Sequence, residues 1–474
     1  MRIGHGHKRL YDFARAGMIL NKLQVHDHWT RQQLEELQRR QLRSLVDHAV
    51  RHSQFYRDLY RDVDTGRGLV LQDLPVITKA VVMENFDRLV TDPRLRLSDL
   101  EAHIGQLTRD EYYLGEYRVL TTAGSSGLRG VFVFNRREWS TVLAAAFRVG
   151  IMMGLSLRFP KRWKVSWIGT DTPMHVSARI SESSDIGQIR TQRLLVTSPL
   201  EQMVDELNLF QPESLFTYPS IASLLAIEQL EGRLHIHPQV VETGAEVRTE
   251  QMEQNIRRAW SVAPFNVYGT TEGGPCNVDC SYHRGIHVFE DLVLMEVVDE
   301  RNQAVPDGLP GSKVLITNLF NFTQPLIRYE VTDMLTISPE PCPCGRPFRL
   351  ISKIEGRSDD VVYLPGNQGR TVPVHPIHFH EAVGEIQEIN EFRFVHEDNV
   401  IRISLVLRGG TSQEEVRERL TSNLTARLES LGAICPNIDI RFLDGIERNP
   451  KTMGKLKLVE SKRGEHNAAK KAEE

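Results

Sequence analysis

Residues 121–130 read Thr-Thr-Ala-Gly-Ser-Ser-Gly-Leu-Arg-Gly, a hydroxyl- and glycine-rich loop between the apolar runs 117–120 and 131–134. Glycines such as Gly124 and Gly127 let a backbone approach a polyanion closely, and successive N–H groups form a concave anion nest. Thr122, Ser125 and Ser126 add hydroxyl donors, and Arg129 adds a fixed positive charge. A strand pattern follows the loop instead of a helix, and Gly-Lys-Ser/Thr is missing, so this is not a Walker A loop. Taken alone, a Ser/Gly loop is also a common connector. Its meaning depends on what else the chain carries.

Five further segments follow in order. Segment 241–248 carries Thr-Gly-Ala-Glu, and 268–274 reads Tyr-Gly-Thr-Thr-Glu-Gly-Gly. Segment 325–333 reads Pro-Leu-Ile-Arg-Tyr-Glu-Val-Thr-Asp, 356–360 Gly-Arg-Ser-Asp-Asp, and 449–455 Asn-Pro-Lys-Thr-Met-Gly-Lys. This collinear series resembles the adenylate-forming superfamily of acyl-CoA synthetases, adenylation domains and luciferases. Leu74-Pro75-Val76-Ile77-Thr78-Lys79, Phe55-Tyr56-Arg57 and Cys342-Pro343-Cys344-Gly345-Arg346 narrow the resemblance to the phenylacetate–CoA ligase branch, with its CapK-type relatives. It covers roughly residues 31–459.

The chemistry such motifs serve is activation of a carboxylate. Oxide is not a usable leaving group, so the acid first attacks the α-phosphorus of ATP, giving an acyl-adenylate and pyrophosphate. Dense negative charge develops there, and an enzyme must supply donors, cations and Mg²⁺. The resemblance implies that 121–129 closes over the β- and γ-phosphates. Relatives end this loop in Pro-Lys; here Arg129 and Gly130 stand there, leaving Arg129 as the substitute cation. It further implies Glu272 as the Mg²⁺ ligand, a hard oxygen suited to that ion, with Thr271 on the α-phosphate. Tyr268, Gly269 and Thr270 would border the adenine, and Glu246 either lines that site or is structural. Asp333 would accept from both ribose hydroxyls, a pairing that suits a carboxylate, and Arg357 would reinforce the contact. Lys455 matches the catalytic lysine, bridging carboxylate and α-phosphate, with Lys451 and Lys457 as rivals. Asp359 occupies the hinge position. Segment 363–380, rich in Pro, Gly and His, departs from the family pattern after that hinge.

Cys276, Cys280, His283 and His287 fall in one window, and Cys342 and Cys344 form a knuckle further on. Thiolates and imidazoles in two short clusters suit tetrahedral Zn²⁺. The resemblance singles out Cys280, His287, Cys342 and Cys344, because Gly285-Ile286-His287 matches the branch's Gly-Leu-His; His283 and Cys276 remain the alternatives. Cys435 reads as a packing thiol. His375, His378 and His380 alternate as on an extended chain and read as hinge packing in preference to a second metal site.

The elements that must position these residues follow from the pattern. Leu34, Leu37, Leu42, Leu45 and Ala49 recur at helical spacing. Helical stretches at 136–155, 199–209, 220–230 and 250–259 alternate with short apolar runs at 163–168, 214–217, 239–243 and 264–268. That alternation predicts an α/β fold with largely parallel strands in a multi-layer N-terminal domain. Runs at 293–298, 313–317 and 334–337 predict a β-rich subdomain. The domain reading is 1–356 for ATP and acid, 357–460 as a small mobile α+β domain, and 461–474 as a disordered tail.

The chain has 474 residues, 40% hydrophobic and 25% charged, with a net charge of −4. Such a length exceeds one ordinary domain, and such a charge gives no push toward nucleic acid or membrane. No apolar run approaches the roughly 20 residues that span a bilayer, and the N-terminus lacks a signal-peptide core. A cytoplasmic location is the expectation, and an odd number of cysteines argues for thiols or metal ligands over disulfides. The expected function is AMP-forming ligation of an acid, aromatic or aryl-acetic by resemblance, to coenzyme A, with ATP, Mg²⁺ and a structural Zn²⁺. Phe216, Tyr218, Pro219 and Pro275 would shape the acid pocket. An amine, a hydroxyl, a carrier-protein thiol or AMP transfer to an acceptor are the alternatives, followed by a non-catalytic ATP-binding relative. The oligomeric state is left open, a homodimer included.

Overall fold

The computed structural model describes residues 5–462, apart from 67, 123–127, 157–160, 171, 185–188, 368–369, 385, 398 and 450–453. The expected tail at 461–474 lies almost wholly outside the described residues. Helix Arg31–His52 starts at a reciprocal cap: the Thr30 hydroxyl accepts from Gln33 N, and the Gln33 side chain accepts from Thr30 N, satisfying two donors that a helix start leaves open. Its leucines at 34, 37, 42 and 45 are buried as the spacing predicts. An earlier helix, His5–His26, was not foreseen; it packs along Arg136–Met152.

The main sheet has nine strands. From one edge, Ile189–Leu195, Trp163–Gly169, Ser214–Thr217, Val240–Gly244 and Phe265–Thr270 run parallel. Helices Val176–Ser184, Leu200–Phe210, Pro219–Leu230 and Glu250–Trp260 cross between them, as parallel pairing demands. Beyond Phe265–Thr270 the sheet turns antiparallel through Gly274–Asp279, Ile286–Val288, Leu350–Arg357 and Asp333–Ile337. One expectation is corrected here. The run 334–337 was assigned to a separate β-rich unit, but it joins the main sheet, because Asp333 pairs with Arg357 across the strands. The separate antiparallel sheet is Val293–Val298, Lys313–Asn318 and Tyr329–Val331.

A second hydrophobic core begins at Val362 and ends at Val459, with Met252 its one residue from the preceding chain. It covers a four-stranded sheet in the order Asn437–Phe442, Val400–Leu407, Ile389–Glu397, Val459–Ser461, backed by helix Gln413–Ser430. In the Pro-, Gly- and His-rich segment 363–380 the described residues form a hairpin of Val362–Pro365 with Thr371–Val374, then helix Pro376–Gly384. His378 and His380 therefore lie on a helix and not on an extended chain; proline is tolerated at the first position, where no backbone N–H is needed. Among the described residues no helix is long and apolar enough to cross a membrane.

Candidate active site

The hairpin Tyr117–Thr121 with Val131–Asn135 holds the two ends of the Ser/Gly loop side by side. Thr122 N donates to Gly130 O, and Gly130 N donates to Thr122 Oγ1 at 2.9 Å. Gly124, Ser125, Ser126 and Gly127 lie outside the described residues. Arg129 turns to Thr121 Oγ1 at 3.2 Å and Met174 Sδ at 3.1 Å, and it does not line the cavity described next.

That cavity, about 1200 Å³, opens over the carboxyl ends of the parallel strands, where ligands sit in open α/β sheets. Thr122, Glu246, Tyr268, Gly269, Thr270, Thr271, Glu272, Asp333, Arg357 and Lys455 all border it. Strand pairing accounts for part of this convergence. Asp333 and Arg357 are cross-strand partners, with Arg357 Nε 3.4 Å from Asp333 Oδ1. Tyr268 donates to Asp333 Oδ2 at 2.7 Å from the far side of the sheet. Glu272 ends the turn after Phe265–Thr270; its carboxylate accepts from Tyr329 Oη at 3.2 Å, and its carbonyl from Asn318. Burial pushes the Glu272 carboxyl up, opposed by backbone hydrogen bonding and by the Lys79 ammonium. The carboxylate is a hard oxygen of the kind Mg²⁺ takes.

Lys455 arrives from the C-terminal unit. Gly454 precedes it at φ +71, and a Cβ there would stand 2.1 Å from Val196 Cγ1, so only glycine lets the segment press this close. Leu456 N donates to Glu246 Oε1 at 2.6 Å, while Arg448 donates to Ser220 Oγ and to Glu391. Ser220 in turn donates to the other Glu246 oxygen at 2.6 Å. Glu246 thus clasps the lysine-bearing segment, one of its two expected roles. Lys455 is half-buried at the cavity wall, and burial lowers its pKa; Glu246, Asp333 and Glu272 favour the charge while Arg357 opposes it. Its rival Lys457 is held by Asp360 at 2.5 Å; Lys451 lies outside the described residues. Asp359 sits outside the cavity, accepting from Thr332 Oγ1. Arg328, in the same motif as Asp333, bonds Glu296 and two carbonyls near Leu74, a packing role.

Behind the cleft, Cys280, His287, Cys342 and Cys344 bring one ligand atom each within 4.8 Å of one another. Cys280 Sγ and Cys342 Sγ are 3.6 Å apart, and Cys344 Sγ is 3.5 Å from His287 Nε2. Metal–sulfur bonds of about 2.3 Å imply sulfur–sulfur edges of about 3.8 Å in a tetrahedron, so the donor set fits zinc. Burial, with the Arg346 and Arg148 charges behind it, lowers the His287 pKa to about 4, leaving the neutral imidazole that ligation needs. His283 is instead bonded to Asp279 at 3.0 Å. His375 contacts Met334 Sδ, His378 faces Glu381, and His380 is buried with no partner for either nitrogen among the described residues. Cys435 lies beside Thr425, partly buried.

No family model matches the chain. Over 189 residues it is 32% identical to the phenylacetate–coenzyme A ligase of Thermus thermophilus, covering 38% of this chain and 41% of that enzyme. Protein CapK of Staphylococcus aureus is 21% identical over 448 residues, 88% of this chain and 87% of CapK. A crystal structure of 2-hydroxyisobutyryl-CoA ligase in the postadenylation state, bound to 2-HIB-AMP, matches with a TM-score of 0.73 at 17% identity, over 94% of this chain and 93% of that one. By sequence the chain is similar to phenylacetate–CoA ligases and to CapK, and its fold is that of 2-hydroxyisobutyryl-CoA ligase. It spans less than half the length of the Thermus ligase it matches. The same 2-hydroxyisobutyryl-CoA ligase in its thioesterification state fits with a TM-score of 0.57.

Three residues of this cleft carry no site role in the sequence analysis. Lys79 borders the cavity and acts on Glu272. His175, next to Lys455, is lowered to about 3 by burial and by that ammonium, so it is a neutral imidazole. Glu242 faces the cavity from Val240–Gly244, and no described residue donates to its carboxylate. Lys79 and Glu242 fall within the motif segments 74–79 and 241–248, but those runs assign them no chemistry, and His175 falls in none. Burial, with a smaller push from Asp279, raises the Glu242 carboxyl to about 8. Its neutral form therefore favours folding, and that contribution is lost as pH rises from the ordinary 4.5 through about 8. Glu242→Gln is expected to melt like wild type near pH 4.5 and above it near pH 8. Allowing for contact with cavity water, the gain is of order 1–2 kcal/mol. Thermal unfolding across this range checks it; a constant difference would contradict an ionising Glu242.

Proposed function

We propose that the chain is an AMP-forming ligase, dependent on ATP and Mg²⁺, that activates a carboxylic acid as its acyl-adenylate and passes the acyl group to coenzyme A. The observation carrying this reading is that Lys455 enters one cavity with Thr271, Glu272, Asp333 and Arg357. The carboxylate oxygen attacks the α-phosphorus, and the bond to the β-bridging oxygen breaks, releasing pyrophosphate. Lys455 sits where an ammonium reaches both anions, and Thr271 beside it offers a hydroxyl to the α-phosphate. Asp333, steadied by Tyr268 and Arg357, takes the ribose diol. Glu272 is the residue that would hold Mg²⁺, which when bound neutralises phosphate charge. The coenzyme A thiolate then attacks the acyl carbon, and AMP leaves. Trp167, Phe216 and Tyr218 border the acid side of the cavity. Zn²⁺ in the Cys280–His287–Cys342–Cys344 set is structural in this reading, since it lies outside the cleft.

Pyrophosphate release with a panel of acids tests the proposal, with product masses recorded in the presence of coenzyme A. Acid-dependent release and a thioester product are expected. Absence of any acid-dependent release from the intact protein would overturn it, and an amide or ester product would replace the acceptor.

A further inference from the structure

The cavity is longer than a nucleotide and a compact aryl acid require. From the acid side it continues along strand Trp163–Gly169, whose residues Trp163, Val165 and Trp167 line one face of it. At about 3.3 Å per residue, the six steps of this strand give a floor of roughly 20 Å. Ile189 and Thr191, in register with Trp163 and Val165, widen that floor. The roof is formed by two helices. Phe13, Gly17 and Leu20 recur at i, i+4 and i+7 on His5–His26, and Phe147 and Gly150 face them from Arg136–Met152. A Cβ on Gly17 would meet nothing within 4 Å, and one on Gly150 would meet only the Leu155 side chain, at 3.6 Å. Both glycines therefore border open space.

Charge is distributed unevenly along this cavity. The charged lining residues Glu246, Glu272, Asp333, Arg357 and Lys455 belong to the motifs of the nucleotide end, while Glu242 stands in register with Phe216 where the arm begins. Among the described residues, the arm between the two helices and the strand carries none. An occupant that matches this pattern has one anionic head and a long uncharged tail. We propose that the acid substrate is a long-chain aliphatic carboxylic acid, with its carboxylate at Lys455 and its chain in the arm under Gly17. This rests on the adenylating function proposed above and deepens it: the arm selects the acid by apolar burial, and helix His5–His26 is part of the substrate site.

The test is ATP–pyrophosphate exchange without coenzyme A, so that a pantetheine arm cannot contribute, using straight-chain acids from butyrate to palmitate with phenylacetate as the compact comparator. For each methylene that enters the arm, kcat/KM should rise about threefold to fourfold. Gly17→Trp should lower the value for the longest acids by roughly tenfold or more, while leaving butyrate and phenylacetate within about twofold. Gly150→Leu plugs the arm from the opposite wall and should act likewise, which guards against a local folding defect in either variant. Thermal stabilisation by palmitate, compared between wild type and Gly17→Trp, reads the site without catalysis. Turnover of phenylacetate or butyrate with no gain from added methylenes would overturn this inference and leave the adenylating function standing. Palmitate stabilising wild type but not Gly17→Trp, with no acid turned over, would do the reverse. Equal palmitate stabilisation of both proteins, or equal loss for short and long acids in both variants, would also overturn it.

Discussion

Lys455→Ala is expected to slow acyl-adenylate formation by about 10²–10³-fold, because it removes the one described ammonium that the C-terminal unit delivers between Glu246, Asp333 and Glu272. An interaction of this kind brings two anions together and stabilises charge only as it develops, so the loss should fall on kcat more than on KM. ATP–pyrophosphate exchange reads the step directly. Conversion of a synthetic acyl-adenylate to the thioester should survive far better, since the carboxylate and phosphate are already joined in that substrate. Lys457→Ala, which gives up a half-exposed ion pair with Asp360, should cost much less. Unchanged exchange in Lys455→Ala would remove the mechanism at its centre.

The second large effect concerns the thiol cluster. Purified protein should contain about one zinc per chain, and Cys342→Ser should lose it together with roughly 3–5 kcal/mol of stability. The reason lies in the sheet. Ile286–Val288 pairs with Leu350–Arg357 through only two residue pairs, Leu350 with His287 and Ile351 with Ile286. That short seam joins the strands carrying Tyr268 to the strand carrying Arg357. A metal holding Cys280 and His287 to Cys342 and Cys344 closes the seam beside those pairs. Melting should fall by about 5–10 °C, with a rise in the KM for ATP as Asp333 and Arg357 loosen. His283→Ala should keep its zinc, because His283 is bonded to Asp279 and not to the thiols. Protein purified without zinc, or a Cys342→Ser variant that melts with the unsubstituted protein, would end the assignment.

The helices and strands that carry the motifs were legible because their signals are local. The leucine spacing of Arg31–His52 and each strand-and-helix step of the β/α alternation from Trp163 to Trp260 lie within about twenty residues. Helix His5–His26 was less legible: its apolar side packs partly on Arg136–Met152 and partly borders a cavity, so no clean stripe marks it. The extended reading of His375, His378 and His380 failed because their alternate spacing suits a strand, yet packing of Phe379, Ala382 and Val383 into the Val362–Val459 core makes 376–384 a helix.

The chemical inventory was determined by the chain's order of residues alone: a Ser/Gly loop, Glu272, Asp333, Arg357, a Gly-Lys pair and two thiol clusters, because each is a short run whose residue types state their chemistry. Their mutual placement was decided by tertiary structure. Cross-strand register brings Asp333 to Arg357, burial of His287 and an Asp279 bond to His283 separate two neighbouring histidines, and the Glu246 clasp selects among lysines. The length of the acid cavity belongs to the same group. Its walls come from segments more than a hundred residues apart, and only their packing leaves the space between them.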